Sequence, residues 1–206
     1  MSSAAKRYRQ ELGEELTQAL GTAFSFRRAT LTLTAPLAGG TRVITLAGTS
    51  RNSPYISVAF YMGLVFDVVR AVEKTLGWKP LATHVTQFSV NFPNMPGISY
   101  HGPVMFPVDL RSPPANLATE VLEAIRSVAF PFFELLGTPQ AARDAIATGN
   151  RLCFSGPHFW KQLFLLNCAL RQLSHYEEWS GRLLGTQQRE SRESITLARR
   201  LIPDVG

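Results

Sequence analysis

The chain has 206 residues, of which 45% are hydrophobic, and a formal net charge of +6 at pH 7. This length suits one large domain or a domain with an appendage, and the hydrophobic fraction is ordinary for a globular core. Two cysteines, Cys153 and Cys168, are too few for a disulfide framework or a zinc pattern. The N-terminus is polar and the longest apolar run is too short for a bilayer, so we expect a cytoplasmic protein that does not enter the membrane.

The positive charge is unevenly distributed. No Asp or Glu lies between Leu16 and Phe66, whereas the same range contains four arginines: Arg27, Arg28, Arg42 and Arg51. Such a zone could form a basic face that attracts an acidic partner, or its arginines could simply solvate the edges of strands. The arginines are not clustered at the spacing of a nucleic-acid groove and no nucleic-acid motif accompanies them, so nucleic acid is not an expected partner.

In the N-terminal third, the spacing of apolar residues predicts one helix and two strands. Residues 4–20 have apolar side chains at four-residue spacing, which is typical of an amphipathic helix. Residues 23–35 and 41–49 alternate in the manner of strands, with a bulge expected near Arg27 and Arg28. The sequence "PLAGGTR" between them indicates a hairpin connection.

The most apolar stretch, "SPYISVAFYMGLVFDVV", predicts a central strand over residues 55–65. Its bulky apolar residues take every second position, which is the period of a strand. We expect these five side chains to point into the main core: Ile56, Val58, Phe60, Met62 and Leu64. A short helix should follow from residue 67 and end at Gly77.

Two further strands are predicted over residues 84–92 and 99–109. The second contains Pro103 and Pro107, which cannot donate a ladder hydrogen bond and therefore favour an edge or a bulge.

The second half of the chain is predicted to be helical. Pro131 interrupts an apolar helical pattern and should kink or break it, and Thr138 followed by Pro139 is typical of a helix start. The sequence thus predicts an α+β fold with an antiparallel sheet of four to six strands packed by helices. The predicted division is an α+β domain over residues 1–148 and a helical C-terminal extension over residues 149–206, packed on that domain.

A search for chemistry finds no catalytic signature. None of the four histidines stands at the helical spacing of a metal site, and no serine lies in a nucleophile elbow. No glycine-rich phosphate loop is present. The candidate acid–base carboxylates Asp67, Glu73 and Asp109 are isolated in the sequence. We therefore expect no catalytic residues, no metal and no cofactor.

Aromatic residues accumulate in the middle of the chain: Tyr55, Phe60, Tyr61, Phe66, Phe88, Phe92, Tyr100 and Phe106. They could pack a sheet core under helices, or they could line a cavity for a small apolar ligand. The second possibility predicts an alternative function, the binding of a small apolar ligand in an aromatic-lined cavity.

The order of elements resembles a family of small uncharacterised bacterial α+β domains, some of which are encoded beside polymorphic or contact-dependent toxins. The resemblance covers roughly residues 5–148 and is marked by an aromatic-rich helix end, Phe130 to Glu134. Amide and basic side chains often precede a serine in the second strand of that family, where this chain has Thr45, Thr49 and Ser50 instead. The resemblance implies a non-catalytic protein-binding module, such as an immunity protein that neutralises a toxin.

The expected contact surface is the exposed face and edges of the N-terminal sheet. Its predicted binding residues are Arg27, Arg28, Arg42, Arg51 and Asn52, since arginines without a local acid remain available to a partner's carboxylates. The competing expectation is that Glu11 or Glu14 of the first helix neutralises them. A toxin bound to a basic face should be neutral or acidic at the contact. The sequence does not predict an oligomeric state.

Overall fold

The computed structural model describes residues 3–48, 54–88, 100–148, 159–175 and 187–203. The chain forms an open antiparallel sheet with helices, which confirms the predicted α+β class. The strands are β1 (Ser25–Arg27), β2 (Thr32–Leu37), β3 (Gly40–Ala47), β4 (Tyr55–Phe66), β5 (Val85–Phe88) and β6 (Phe106–Asp109). The helices are α1 (Ser3–Leu20), α2 (Asp67–Thr75), α3 (Leu117–Ala124), α4 (Phe130–Leu136), α5 (Pro139–Ala147), α6 (Phe159–Ala169) and α7 (Gln187–Leu201).

The sheet has the strand order β1-β2-β3-β4-β5, with β6 also paired to β4. Antiparallel registers place Leu33 opposite Ile44 in the β2–β3 hairpin and Ser57 opposite Pro107 in the β4–β6 pair. The Leu110 N–H donates to the Pro54 carbonyl, so Pro107 lies at a position whose nitrogen points away from β4. Proline therefore interrupts no hydrogen bond between these two strands, as expected for an edge position.

Two predicted strands differ from the observed ones. Residues 23–35 do not form one strand, because a turn separates β1 from β2 and Leu31 takes a φ of +55° there. The predicted strand 99–109 is shortened to β6, since residues 100–105 lie outside any strand. Of the predicted strand 84–92, β5 accounts for the described part, and residues 89–92 lie outside the described ranges.

The alternation in β4 confirms the predicted core. Its five predicted inward-facing side chains are all buried, at 4% exposure or less: Ile56, Val58, Phe60, Met62 and Leu64. Helix α1 presents Leu12 and Leu16 to the interior, and both are buried. A side chain at Gly13 would overlap the Phe26 ring, so glycine permits the close approach of α1 to β1.

Pro131 was expected to kink or break its helix, and the α-helical pattern is interrupted just before it although the helix does not end there. A π-helical segment, Ile125–Ala129, joins α3 directly to α4. Within it the Phe130 N–H donates to the Ile125 carbonyl, five residues earlier. This wider turn immediately precedes Pro131, and such a bulge gives room for a ring that would otherwise strike the carbonyl of the preceding turn.

The chain contacts define two compact units, Met1–Gly63 with Thr86–Leu135, and Leu64–Val85 with Leu136–Gly206. The first unit contains α1, β1–β3, most of β4, β6, α3 and α4. The second contains α2, α5, α6 and α7. This grouping differs from the predicted division at residue 148, and residues 149–158, where that division falls, lie outside the described residues. Within the described ranges, no helix combines the length and apolar character needed to cross a bilayer.

Candidate protein-binding face

The register of the first three strands defines which side chains share a face. Ser25 lies opposite Thr34 and Arg27 opposite Thr32, while Thr32 also lies opposite Thr45. The intervening residues, such as Leu33 and Ile44, are fully buried on the side covered by α1. Arg27 therefore belongs to the opposite side of the sheet, which we call the open face.

Only one of the predicted binding arginines that the structure describes lies on the open face. Arg42 stands opposite the buried Ala35 and alternates with Ile44, so it belongs to the helix-covered side. Its Nε atom is buried and has no hydrogen-bond partner among the described residues. Arg42 and Arg27 therefore lie on opposite sides of the sheet, and their role in binding a partner stays a prediction.

Arg28 is engaged by helix α1. Its Nε donates to the Glu14 carboxylate, and the Gln10 side chain donates to the Arg28 carbonyl. The hydrogen bond from Arg28 lowers the pKa of Glu14 and the same contact raises the pKa of Arg28. The competing expectation, that an acid from the first helix pairs with an arginine, holds at this position. The other two predicted binding residues, Arg51 and Asn52, lie outside the described residues.

Hydroxyl groups cover the open face of β1–β3. The Ser25 and Thr34 hydroxyls lie 2.9 Å apart, and those of Thr32 and Thr45 lie 3.3 Å apart. These threonines are half-buried. The pairs tie neighbouring strands together, and they leave a polar surface on which Arg27 is the charged residue.

The open face becomes aromatic and apolar at β4 and β6. Tyr55 and Tyr61 alternate with the inward-facing residues of β4 and are 60% and 41% exposed, whereas Ala59 between them on the same side is fully buried. Met105 and Pro107 flank the buried Phe106, and both are exposed, Met105 by 45%. Tyr, Met and Arg are the residue types enriched at protein interfaces. Tyr55 and Tyr61 belong to the aromatic residues that could pack a core or line a cavity, and the strand period places them on the side of β4 opposite Phe60.

Arg111 forms a fixed cluster with Tyr55 and Asp109 at the edge of this face. Its Nε donates to Asp109 Oδ1 at 2.9 Å, and its Nη2 donates to Asp109 Oδ2 at 2.7 Å and to the Tyr55 hydroxyl at 2.5 Å. The guanidinium carbon lies 5.0 Å from the centroid of the Tyr55 ring. These hydrogen bonds from Arg111 lower the pKa of Asp109 to about 2, so the carboxylate is charged at neutral pH.

A second cluster joins Glu73 and His84 inside the other unit. Glu73 Oε1 accepts the Leu81 N–H at 2.7 Å, and Oε2 accepts from Arg70 at 2.6 Å and lies 3.4 Å from His84 Nε2. His84 Nδ1 accepts the Phe66 N–H at 2.8 Å. Glu73 and Asp109 are therefore not isolated, contrary to the sequence analysis.

An acid–histidine pair can perform proton transfer only where a substrate can reach it. His84 is 0% exposed and Glu73 is 1% exposed. His84 accepts the Phe66 N–H at the end of β4, and Glu73 accepts the Leu81 N–H between α2 and β5. Their observed role is to satisfy buried backbone donors. Among the residues that the structure describes, no three His, Cys, Asp or Glu side chains are grouped closely enough to hold a metal ion.

Comparison with known proteins gives no assignment: no family model, no curated protein and no solved structure matches the chain. The resemblance to toxin-associated α+β domains therefore stays a prediction. The class of protein that the fold itself defines is an α+β protein with one sheet face that presents tyrosines, a methionine and hydroxyl groups.

Proposed function

We propose that this chain is a non-catalytic protein-binding module that contacts its partner through the open face. The observation that carries the proposal is the exposure of Tyr55, Tyr61 and Met105 on one side of a sheet whose other side is core. Tyrosine offers a large rigid contact area at low entropic cost, and methionine adapts to the shape of a partner.

The chemistry of the face favours a protein over other partners. Arg27 and Arg111 are its only cations among the described residues, and Arg111 is neutralised by Asp109. A nucleic acid would require a denser row of cations. The best-fitting occupant is a segment of a partner protein that covers the tyrosines and Met105 with apolar side chains.

The alternative function, carriage of a small apolar ligand, receives less support. A carrier would need the central aromatic residues to face a common space. Phe60 and Phe106 are in the core, at 0% and 2% exposure, whereas Tyr55 and Tyr61 face outward. The Phe92 position and the Phe88 side chain lie outside the described part of the chain.

A phage-displayed library of random peptides, panned on the purified protein, tests the proposal without knowledge of the natural partner. The affinity of the selected peptides is then measured for Tyr61→Ala and Met105→Ala. We expect each change to weaken binding by about tenfold, the effect of losing roughly 1.4 kcal/mol of contact. Leu135→Ala is the matched control, because Leu135 is 52% exposed on helix α4. Peptides that bind the face variants as tightly as the wild type would contradict the proposal.

The more specific proposal, that the partner is a bacterial toxin, follows from the resemblance alone. Its test is the product of a neighbouring gene that arrests growth when expressed by itself. Immunity requires that coexpression of this chain restore growth and that Tyr61→Ala reduce the rescue. A neighbouring toxin that binds the chain without being neutralised would refute immunity and leave protein binding intact.

A further inference from the structure

The open face carries two cations of different electrostatic character, Arg27 on β1 and Arg111 next to β6. We propose that a partner segment meets Arg27 with a carboxylate and Arg111 with a neutral acceptor, such as a backbone carbonyl. This inference rests on the proposed function and specifies the chemistry of the partner.

Arg27 is exposed, and its neighbours on the face are hydroxyls rather than acids. Within the described ranges, no carboxylate forms an ion pair with it, whereas Arg28, the next residue, is paired with Glu14. An arginine in such surroundings keeps its full charge and its planar fork of donors. A partner's carboxylate is the acceptor that matches both.

Arg111 differs from Arg27 because Asp109 already accepts hydrogen bonds from part of its guanidinium group. Three of its five N–H groups are used, one on Nε and two on Nη2. The two N–H groups on Nη1 form no hydrogen bond to any residue in the described part of the chain, and the side chain is 62% exposed. They are therefore available to a partner.

The charge balance at Arg111 decides which acceptor it prefers. The Arg111–Asp109 pair has no net charge, so a second carboxylate would gain attraction from the guanidinium and repulsion from Asp109 at nearly the same distance. A carbonyl oxygen accepts the Nη1 hydrogens without that repulsion. Stacking on Tyr55 holds the guanidinium in place, which reduces the entropy lost when a partner binds.

The strand order sets how far apart the two recognition points lie across the sheet. Four steps lead from β1 through β2, β3 and β4 to β6. At about 4.8 Å per step β1 and β6 lie roughly 19 Å apart across the sheet, a width that an extended segment of about six residues crosses. The occupant is thus a segment of a partner protein that crosses the strands, acidic at the β1 end and uncharged at the β6 end.

The test measures the dissociation constant of a peptide selected from the random library across a series of NaCl concentrations. Arg27→Gln should weaken binding at low salt and remove most of the salt dependence, because it removes the one charged contact. Arg7→Gln is the matched control: it removes the same charge from an exposed pair with Glu11 on α1 and should change neither quantity.

The double variant Asp109→Asn with Arg111→Gln removes the second recognition point without a change in net charge. We expect it to weaken binding by about tenfold while the salt dependence stays at the wild-type value. A loss of salt dependence in this variant, or an Arg27→Gln variant that behaves like Arg7→Gln, would overturn the inference. If Tyr61→Ala and Met105→Ala still weaken binding in that case, the proposed function holds without this inference. If these two changes have no effect either, the proposed function and the inference both fail. Thermal melts of every variant exclude loss of fold as the cause.

Discussion

At the level of single residues, His84 is a titratable group that its surroundings keep neutral. Nδ1 accepts the Phe66 N–H, so the ring proton resides on Nε2 and faces Glu73. Burial lowers the pKa of His84 from 6.5 to about 4, and the nearby Glu73 charge opposes this only in part. Protonation would place a charge in the interior. It would also put a proton on Nδ1, which could then no longer accept the Phe66 N–H.

The lowered pKa predicts how stability changes with acid. Between pH 6.5 and pH 4 the unfolded histidine binds a proton and the folded one does not, so stability falls as the pH falls through this range. The slope from His84 is about 1.4 kcal/mol per pH unit, for a total of about 3 kcal/mol. Urea unfolding at several pH values measures it.

His84→Asn is the matched variant for that measurement. An asparagine oxygen can still accept the Phe66 N–H but does not titrate. Its unfolding free energy should vary less with pH than that of the wild type. Parallel curves for the two proteins over pH 4–6.5 would show that His84 does not have the lowered pKa.

Contacts between residues far apart in the sequence explain why the cluster of Tyr55, Asp109 and Arg111 was not predicted. Tyr55 and Arg111 meet only because β4 pairs with β6, and Tyr55 stands directly opposite Asp109 in that register. Asp109 and Arg111 are two positions apart in the sequence, a spacing at which a carboxylate can bind a guanidinium across a turn. That local signal could have shown that Asp109 was not isolated.

At the level of elements, Thr138 predicts the start of helix α5. Its hydroxyl accepts the Ala141 N–H at 3.1 Å, with Pro139 at the first helical position, as the sequence indicated. Thr138→Ala removes this cap and should lower the free energy of unfolding by about 1 kcal/mol. Thr138→Ser keeps the hydroxyl and should stay near the wild type in the same denaturant titration. Equal stability of all three proteins would show that the cap is not formed.

Strand β4 offers a comparison between two adjacent residues on opposite sides. Phe60 is fully buried, so Phe60→Ala should cost about 3–5 kcal/mol in unfolding free energy. Tyr61 is 41% exposed, and Tyr61→Ala should cost about 1 kcal/mol or less. Denaturant unfolding of both variants checks the alternation. Similar losses for the two would mean that the open face is covered in the folded protein.

Elements with a clear period were predictable from sequence, and irregular ones were not. The five inward positions of β4 follow from an alternation that spans the whole strand. The break between β1 and β2 has no such signal, because Leu31 takes a positive φ that glycine or asparagine would normally mark. The π-helical segment before Pro131 is equally invisible, since proline more often ends a helix than widens one.

For the whole molecule, the fold class follows from strand periods in the first half and helical periods in the second. Arg42 and Arg27 lie on opposite sides of the sheet for a reason already present in "RVITL": Arg42 shares its side of the strand with Ile44. The absence of acids along a stretch of sequence does not place its cations on one surface, because strand period and packing decide where each one points. The grouping into two units depends on contacts between segments far apart in sequence and could not be read from local patterns.

Folding of the whole chain is expected to need no metal ion. Most side chains of the described core are aliphatic or aromatic, and no group of His, Cys, Asp and Glu among the described residues could hold a metal ion. Dialysis against a chelator should therefore leave the thermal midpoint unchanged, whereas a structural metal would contribute several kcal/mol to folding. Differential scanning calorimetry before and after chelation, with zinc added back, provides the measurement. A midpoint that falls by several degrees and recovers with zinc would mean that ligands outside the described residues, such as Cys153 and His158, bind a metal.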